Sequence, residues 1–210
     1  MESHDAHNQP AKILTDLTTP IPEGLASRTI RVDNQDFLWF VREGNRGRSF
    51  DYKSTIILAF LREAQAERFC MMDCDQGFRR SMDAEIMKVP PEKMGMCETE
   101  GRRINLSRKI SGKYGIADDV IEMTSSLMIF PADSRNLGEM YVECLKNTIE
   151  PDHFLLEQRT WSVVWHASKG QLMPAIMNWS RFFGPEPKNS IVRHYHGDEK
   201  WKITKKRSGL

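Results

Sequence analysis

A chain of 210 residues, 40% hydrophobic and 28% charged, can bury a core without disulfides or structural metals. Its formal net charge of +1 excludes the global positive field of many nucleic-acid binders, so an anionic partner must be met by local patches. No apolar run approaches the ~18 residues that span a bilayer, and the polar opening MESHDAHNQP has no apolar signal core. Cys70, Cys74, Cys97 and Cys144 are therefore expected as free thiols in a reduced, non-secreted protein. The 12 methionines suit a surface that adapts its packing.

Residues 1–28 mix His, Asp, Asn and Thr with Pro10, Pro20 and Pro22, which predicts a flexible N-terminal arm. Ile13, Leu14 and Leu17 have helical spacing within it. A globular domain is expected over 29–204 and a basic tail over 205–210. Phe37–Val41 reads as a buried strand and Gly44–Gly47 as a turn. Asp51 is placed to cap a helix reaching Glu67, with Ile56, Ile57, Phe60, Leu61 and Ala64 on its apolar face. Pro90 and Pro91 break any helix. Gly101–Lys113 carries five basic residues and no acid, and reads as an exposed loop. Asp118 is placed to cap a short helix over Asp119–Met123. Ser125–Phe130, Glu139–Leu145, His153–Glu157, Thr160–Trp165 and Gln171–Trp179 read as strands, the last interrupted by Pro174. Ser190–His196 and Lys200–Thr204 read as a closing hairpin. The pattern predicts an α+β fold: a single compact domain with a mainly antiparallel sheet and one main helix near 51–67.

Arg159–Phe183 holds three of the five tryptophans and a Phe-Phe pair, with no acid and no cysteine. It reads as two aromatic-rich strands around a turn at Ser168–Gly170. Trp161, Trp165, Trp179, Phe182 and Phe183 are the candidates for core or self-contact.

Three constellations bear on chemistry. Cys70 and Cys74, with His194 and His196, offer four N/S ligands of the kind that close a tetrahedral zinc site, although the cysteine spacing is loose. Asp152, Glu157 and Arg159, with Glu139 or Glu143, outline a metal-dependent nuclease layout. That layout needs a lysine where Arg159 stands, and on one strand Asp152 and Glu157 face opposite sides. Two basic clusters suit a phosphate backbone or acidic lipid: Arg102, Arg103, Arg108, Lys109 and Lys113, and then Lys200, Lys202, Lys205, Lys206 and Arg207 around Trp201. Phosphate-loop, nucleophile-elbow and zinc-protease signatures are lacking, and His153 and His166 stand isolated. The expectation is therefore a non-enzymatic protein with no cofactor and no catalytic or metal residues.

Several fragments resemble rhabdovirus matrix proteins of the lyssavirus type. Arg159, Trp161, Gly170, Gln171 and Leu172 are similar to a strand, turn and GQL segment of that family. Leu127–Glu139, LMIFPADSRNLGE, resembles its apolar strand and ADSR turn, and Phe37–Ala64 has its strand–turn–helix order. The chain departs from it in lacking a PPxY motif. The resemblance implies a matrix protein that self-associates, binds a viral nucleoprotein–RNA complex, an acidic membrane surface and host proteins, and works in the virion and at the inner face of the host membrane. Asp119–Trp165 also resembles the effector domain of influenza non-structural proteins, which implies instead a regulator that binds RNA or a host protein.

Overall fold

A computed structural model describes residues 11–41, 48–63, 67–147, 156–180 and 184–195. Its centre is a four-stranded sheet in the order β3 (Phe69–Met72), β6 (Asp119–Phe130), β5 (Gly95–Asn105) and β7 (Gln171–Leu172). β6 runs antiparallel to β3 and β5, whereas β5 and β7 are parallel. Every residue of β6 from Glu122 to Phe130 is buried, because both of its faces are covered. Alternation sorts its side chains: Met128 and Phe130 enter one core cluster, Leu127 and Ile129 the other.

Three helices build the first cluster. α1 (Arg48–Arg62) buries Ser54, Ile57, Leu58 and Leu61, a stripe at helical spacing. α4 (Arg135–Lys146) buries Leu137, Gly138, Tyr141, Cys144 and Leu145, and α5 (Leu156–Ala167) buries Leu156, Thr160, Trp161, Val163 and Val164. Trp161 sits at their junction, its ring 4.3 Å from that of Tyr141 and 5.5 Å from that of Phe130. Trp161 Nε1 and the Tyr141 hydroxyl both donate to Ser54 Oγ, at 3.1 and 3.0 Å, so the polar tips of two buried rings are satisfied. The second cluster packs under a three-stranded sheet ordered β4 (Gln76–Phe78), β9 (Val192–His194) and β8 (Trp179–Ser180). Two short helices, α2 (Asp83–Ile86) and α3 (Arg108–Tyr114), lie in the connections. Among the described residues, no helix is long and apolar enough to cross a membrane.

The fold is thus a compact α/β domain with mixed sheets and several helices, not a mainly antiparallel sheet with one main helix. Parallel pairs occur in each sheet, including β1 (Ile13–Asp16) with β2 (Thr29–Val32). β1 lies inside the segment expected to be a flexible arm, and residues 1–10 and the 205–210 tail lie outside the described residues. Asp16 fixes the chain after β1: its carboxylate accepts hydrogen bonds from the N–H and hydroxyl groups of Thr18 and Thr19 at 2.6–2.8 Å. Phe37–Phe40 lies in a 3-10 turn, Gln35–Phe40. Three-residue spacing there sends Phe37 and Phe40 to the helical core and leaves Trp39 55% exposed. Helices α4 and α5 replace the strands expected over Glu139–Leu145 and Thr160–Trp165. Strand β6 replaces the helix expected over Asp119–Met123. The loop expected over Gly101–Lys113 is the end of β5 followed by α3.

The turn at Ser168–Gly170 forms where expected, but it ends a helix. Lys169 takes a left-handed φ of 53°, with Gly170 N–H bonded to Trp165 O at 2.8 Å and Lys169 N–H to His166 O at 3.1 Å. This is a Schellman closure.

Candidate metal centre

The site lies where the chain changes sheets. β3 is an apolar strand, and the next three residues, Asp73-Cys74-Asp75, turn at its carboxyl end. Asp73 N–H donates to Ser126 O at 2.9 Å, adding one rung to the β3–β6 pairing. Gln76 N–H then closes the turn on Asp73 O at 3.3 Å, and from Gln76 onward the chain pairs with β9 in the other sheet. The register sets Gln76 opposite His194, and Tyr195 N–H donates to Asp75 O at 3.0 Å. His194 Nε2 consequently faces Asp75 Oδ1 at 3.1 Å.

Asp73, Asp75 and His194 each present one ligand atom, and the three atoms lie within 4.8 Å of one another. All three side chains are partly exposed, within reach of a small ligand. Two carboxylates and an imidazole suit a hexacoordinate cation such as Mn²⁺ or Mg²⁺, and three protein ligands leave positions open for oxygens of a substrate. The donor set therefore fits a catalytic divalent cation better than a closed structural zinc.

Lys53 stands behind Asp73. It reaches from α1 to Asp73 Oδ1 at 3.2 Å, to Glu157 Oε1 at 3.2 Å and to Ser125 O at 3.3 Å. Glu157 is 1% exposed, lies in the first turn of α5, and accepts a hydrogen bond from Ser125 Oγ at 2.7 Å. A carboxylate there also meets the favourable end of the helix dipole. Burial works against the Lys53 ammonium, but the Asp73 and Glu157 carboxylates outweigh it and hold the Lys53 pKa above its usual value. Burial pushes the Glu157 pKa up, against the opposing pull of Lys53 and the Ser125 hydroxyl.

A buried amide and hydroxyl network lies under the turn. Gln76 Nε2 donates to Asn178 Oδ1 at 2.6 Å, Asn178 Nδ2 donates to Ser126 Oγ at 2.8 Å, and Ser126 and Thr124 share a bond of 2.8 Å. It ties both sheets to the residue that follows Asp75. Strand β9 is braced from its other side. Arg193 pairs with Glu186 Oε2 at 2.6 Å and lies between the rings of Trp179 and Tyr195, at 5.1 and 5.0 Å. Burial disfavours the Glu186 carboxylate, yet Ser190, Arg79 and Arg193 together bring its pKa below the usual range.

No protein-family profile matches the chain, and no curated protein matches it. Solved structures do. An active-site mutant of LgtC is 14% identical, with a TM-score of 0.64 over 100% of this chain and 89% of that one. The galactosyltransferase LgtC in complex with donor and acceptor sugar analogues is 13% identical, with a TM-score of 0.56 over 90% and 78%. The bifunctional glycosyltransferase WbbM is 12% identical, with a TM-score of 0.58 over 93% of this chain and 42% of that one. The fold is the Rossmann-like GT-A fold. A GT-A domain overturns the resemblance to rhabdovirus matrix proteins, and with it the non-enzymatic matrix and budding role. The segments behind that resemblance are ordinary parts of this architecture: LMIF lies in β6, ADSR leads into α4, and the R-x-W pair lies on α5. The self, ribonucleoprotein, membrane and host partners, and the virion location, lose that support.

The other expected site residues fall as follows. Cys70 is half-buried on β3, its thiol pushed up to about 12 by burial, and Cys74 is exposed. Neither joins the Asp73–Asp75–His194 group, and His196 lies outside the described residues. The nuclease set is not assembled: Glu157 meets Lys53, Glu143 meets Lys113 and Tyr114, Glu139 is exposed on α4, and Asp152 lies outside the described residues. Arg102, Arg103, Arg108, Lys109 and Lys113 are exposed around the far end of β5 and α3. Acids sit among them, with Arg103 paired to Asp119 at 2.6 Å and Lys113 to Glu143. Lys200, Lys202, Lys205, Lys206, Arg207, Phe182 and Phe183 lie outside the described residues. Trp161 and Trp179 are buried and Trp165 is half-buried, so these rings serve the interior. Of the group at the centre, only His194 is among the candidate ligands expected from sequence. The missed signal was two acids, at i and i+2, directly after an apolar strand.

Proposed function

We propose that this chain is a glycosyltransferase that moves a sugar from a phosphate-activated donor to an acceptor hydroxyl. The observation that carries this reading is the Asp73–Asp75–His194 group at the carboxyl end of β3 in a GT-A fold. Ligands of open α/β sheets bind outside the carboxyl ends of their strands. In the reaction, the bond between the sugar's anomeric carbon and a phosphate oxygen breaks, with the electron pair leaving on that oxygen. The acceptor oxygen bonds to the same carbon and gives up its proton to the departing phosphate or to solvent. A divalent cation, when bound, neutralises the charge that develops on the departing phosphate.

The protein's own part is positional. Asp73 and Asp75 supply oxygen ligands and His194 a nitrogen ligand. The β3–β6 rung and the β4–β9 register hold the two ends of that ligand set in separate sheets. A panel of nucleotide-sugars, incubated with the protein and Mn²⁺ or Mg²⁺, tests the reading through the nucleotide released. Turnover of at least one donor is expected, lost on chelation and in Asp75→Asn. Failure of every donor to be either bound or turned over with either cation would overturn it.

A further inference from the structure

Partly exposed Lys53 and buried Glu157 form an ion pair beside the metal centre, 3.2 Å between Nζ and Oε1. Lys53 comes from α1, Glu157 from the first turn of α5, and both meet Ser125 of β6. Among the described residues, one contact of Lys53 leads to the metal centre: Asp73 Oδ1 at 3.2 Å. Glu157 is 1% exposed, which makes it an anchor rather than a surface acid. The ammonium is therefore fixed from behind by Glu157 and Ser125 and presented to one oxygen of Asp73.

We infer that Glu157 and Lys53 are positioning residues, which fix the orientation of the Asp73 carboxylate and so set how tightly the site holds its cation. This rests on the reading of Asp73, Asp75 and His194 as cation ligands. Groups that orient metal ligands in this way commonly contribute 10–100-fold to affinity. A purely electrostatic role for Lys53 predicts the opposite sign, since removing a positive charge beside the site would tighten cation binding.

The charge-neutral double variant Lys53→Met/Glu157→Gln separates these cases. It removes one charge of each sign, while the glutamine still accepts from Ser125. Mn²⁺ binding, read by the loss of the free-ion electron paramagnetic resonance signal, needs no donor and no turnover. Roughly tenfold weaker binding is expected in the double variant, with Lys53→Arg within about threefold of the wild type. Far-ultraviolet circular dichroism checks folding, and Lys53→Gln carries the same test should the double variant not fold. Wild-type Mn²⁺ affinity in a folded double variant, with binding abolished in Asp75→Asn, overturns the positioning role alone. Unchanged binding in Asp75→Asn overturns the cation site itself.

Discussion

A methyl group added at Gly170 would sit 2.3 Å from Cδ1 and Nε1 of Trp165 and 2.8 Å from Cε2. Relaxed carbon contacts lie near ~3.5–4.0 Å, so ring or backbone must move by about 1 Å or more. Neither moves easily. Trp165 Nε1 donates to Gln171 O at 3.3 Å, and the ring stands edge-on to His166 at 4.8 Å. The backbone is held by Gly170 N–H to Trp165 O and Gln171 N–H to Met94 O, both 2.8 Å. Overpacking of this kind costs ~1–3 kcal/mol, and without a flexible neighbour the upper half of that range applies. Gly170→Ala should therefore lower stability by about 2–3 kcal/mol and Tm by roughly 5–10 °C. Urea unfolding and calorimetry measure both. In a Trp165→Leu background the same substitution should cost under ~0.5 kcal/mol, a coupling of about 2 kcal/mol. An equal loss in both backgrounds would refute the clash and place the strain in the backbone.

Lys169→Gly should raise the urea midpoint by the equivalent of about 0.5–1 kcal/mol, because glycine adopts the left-handed closure of α5 without a Cβ penalty; a lower midpoint would contradict that. Lys53→Met should cost about 2–3 kcal/mol at neutral pH, somewhat below a fully buried pair because Lys53 is 25% exposed. The raised pKa of Glu157 means that its contribution is fully present below the unfolded value near 4.5 and lost as pH rises through the folded value. Without Lys53 that folded value climbs further, so the gap between variant and wild type should narrow on acidification from pH 7 toward ~4.5; a gap constant with pH would refute the account. Cys74 is exposed, whereas burial pushes the thiols of Cys70 and Cys144 up to about 12 and about 11 and raises that of Cys97. A disulfide reagent should therefore label Cys74 first in the native protein, and saturating Mn²⁺ should slow it. Labelling unaffected by the cation would separate Cys74 from the metal centre.

The parts of this fold that could be read from sequence are those where local pattern and packing agree. Leu127–Phe130 is an apolar run because both faces of β6 are covered, and the α1 stripe keeps a helical period. α4 and α5 carry Tyr141, Val142, Thr160, Trp161, Val163, Val164 and Trp165, all strand-favouring residues, and packing against one another and α1 overrides that preference. Leu137, Tyr141 and Leu145 nevertheless keep the four-residue spacing of a helix face, a signal outweighed by residue type. At the site, the spacing of Cys70 and Cys74 points to thiols, one of them half-buried in the sheet, and not to the acids flanking Cys74. His194 could not be matched to Asp75 without the β4–β9 register, which brings together residues far apart in the chain. Nor does composition reveal Glu157 as buried, because the cation that makes its burial tolerable arrives from another helix.

The turn at Asp73–Asp75 is also a seam between two bodies of unequal strength. β3 belongs to the large sheet under the helical core, whereas β4, β9 and β8 are strands of two or three residues. Partial openings of a protein begin where elements are short and few contacts hold them. The small sheet is thus the part expected to detach first, and it would carry His194 away from Asp73 while the helices and β6 stay folded. Heat or denaturant should accordingly silence the protein before it melts, and a ligand bridging the seam would act as a clasp, raising the temperature at which the halves part.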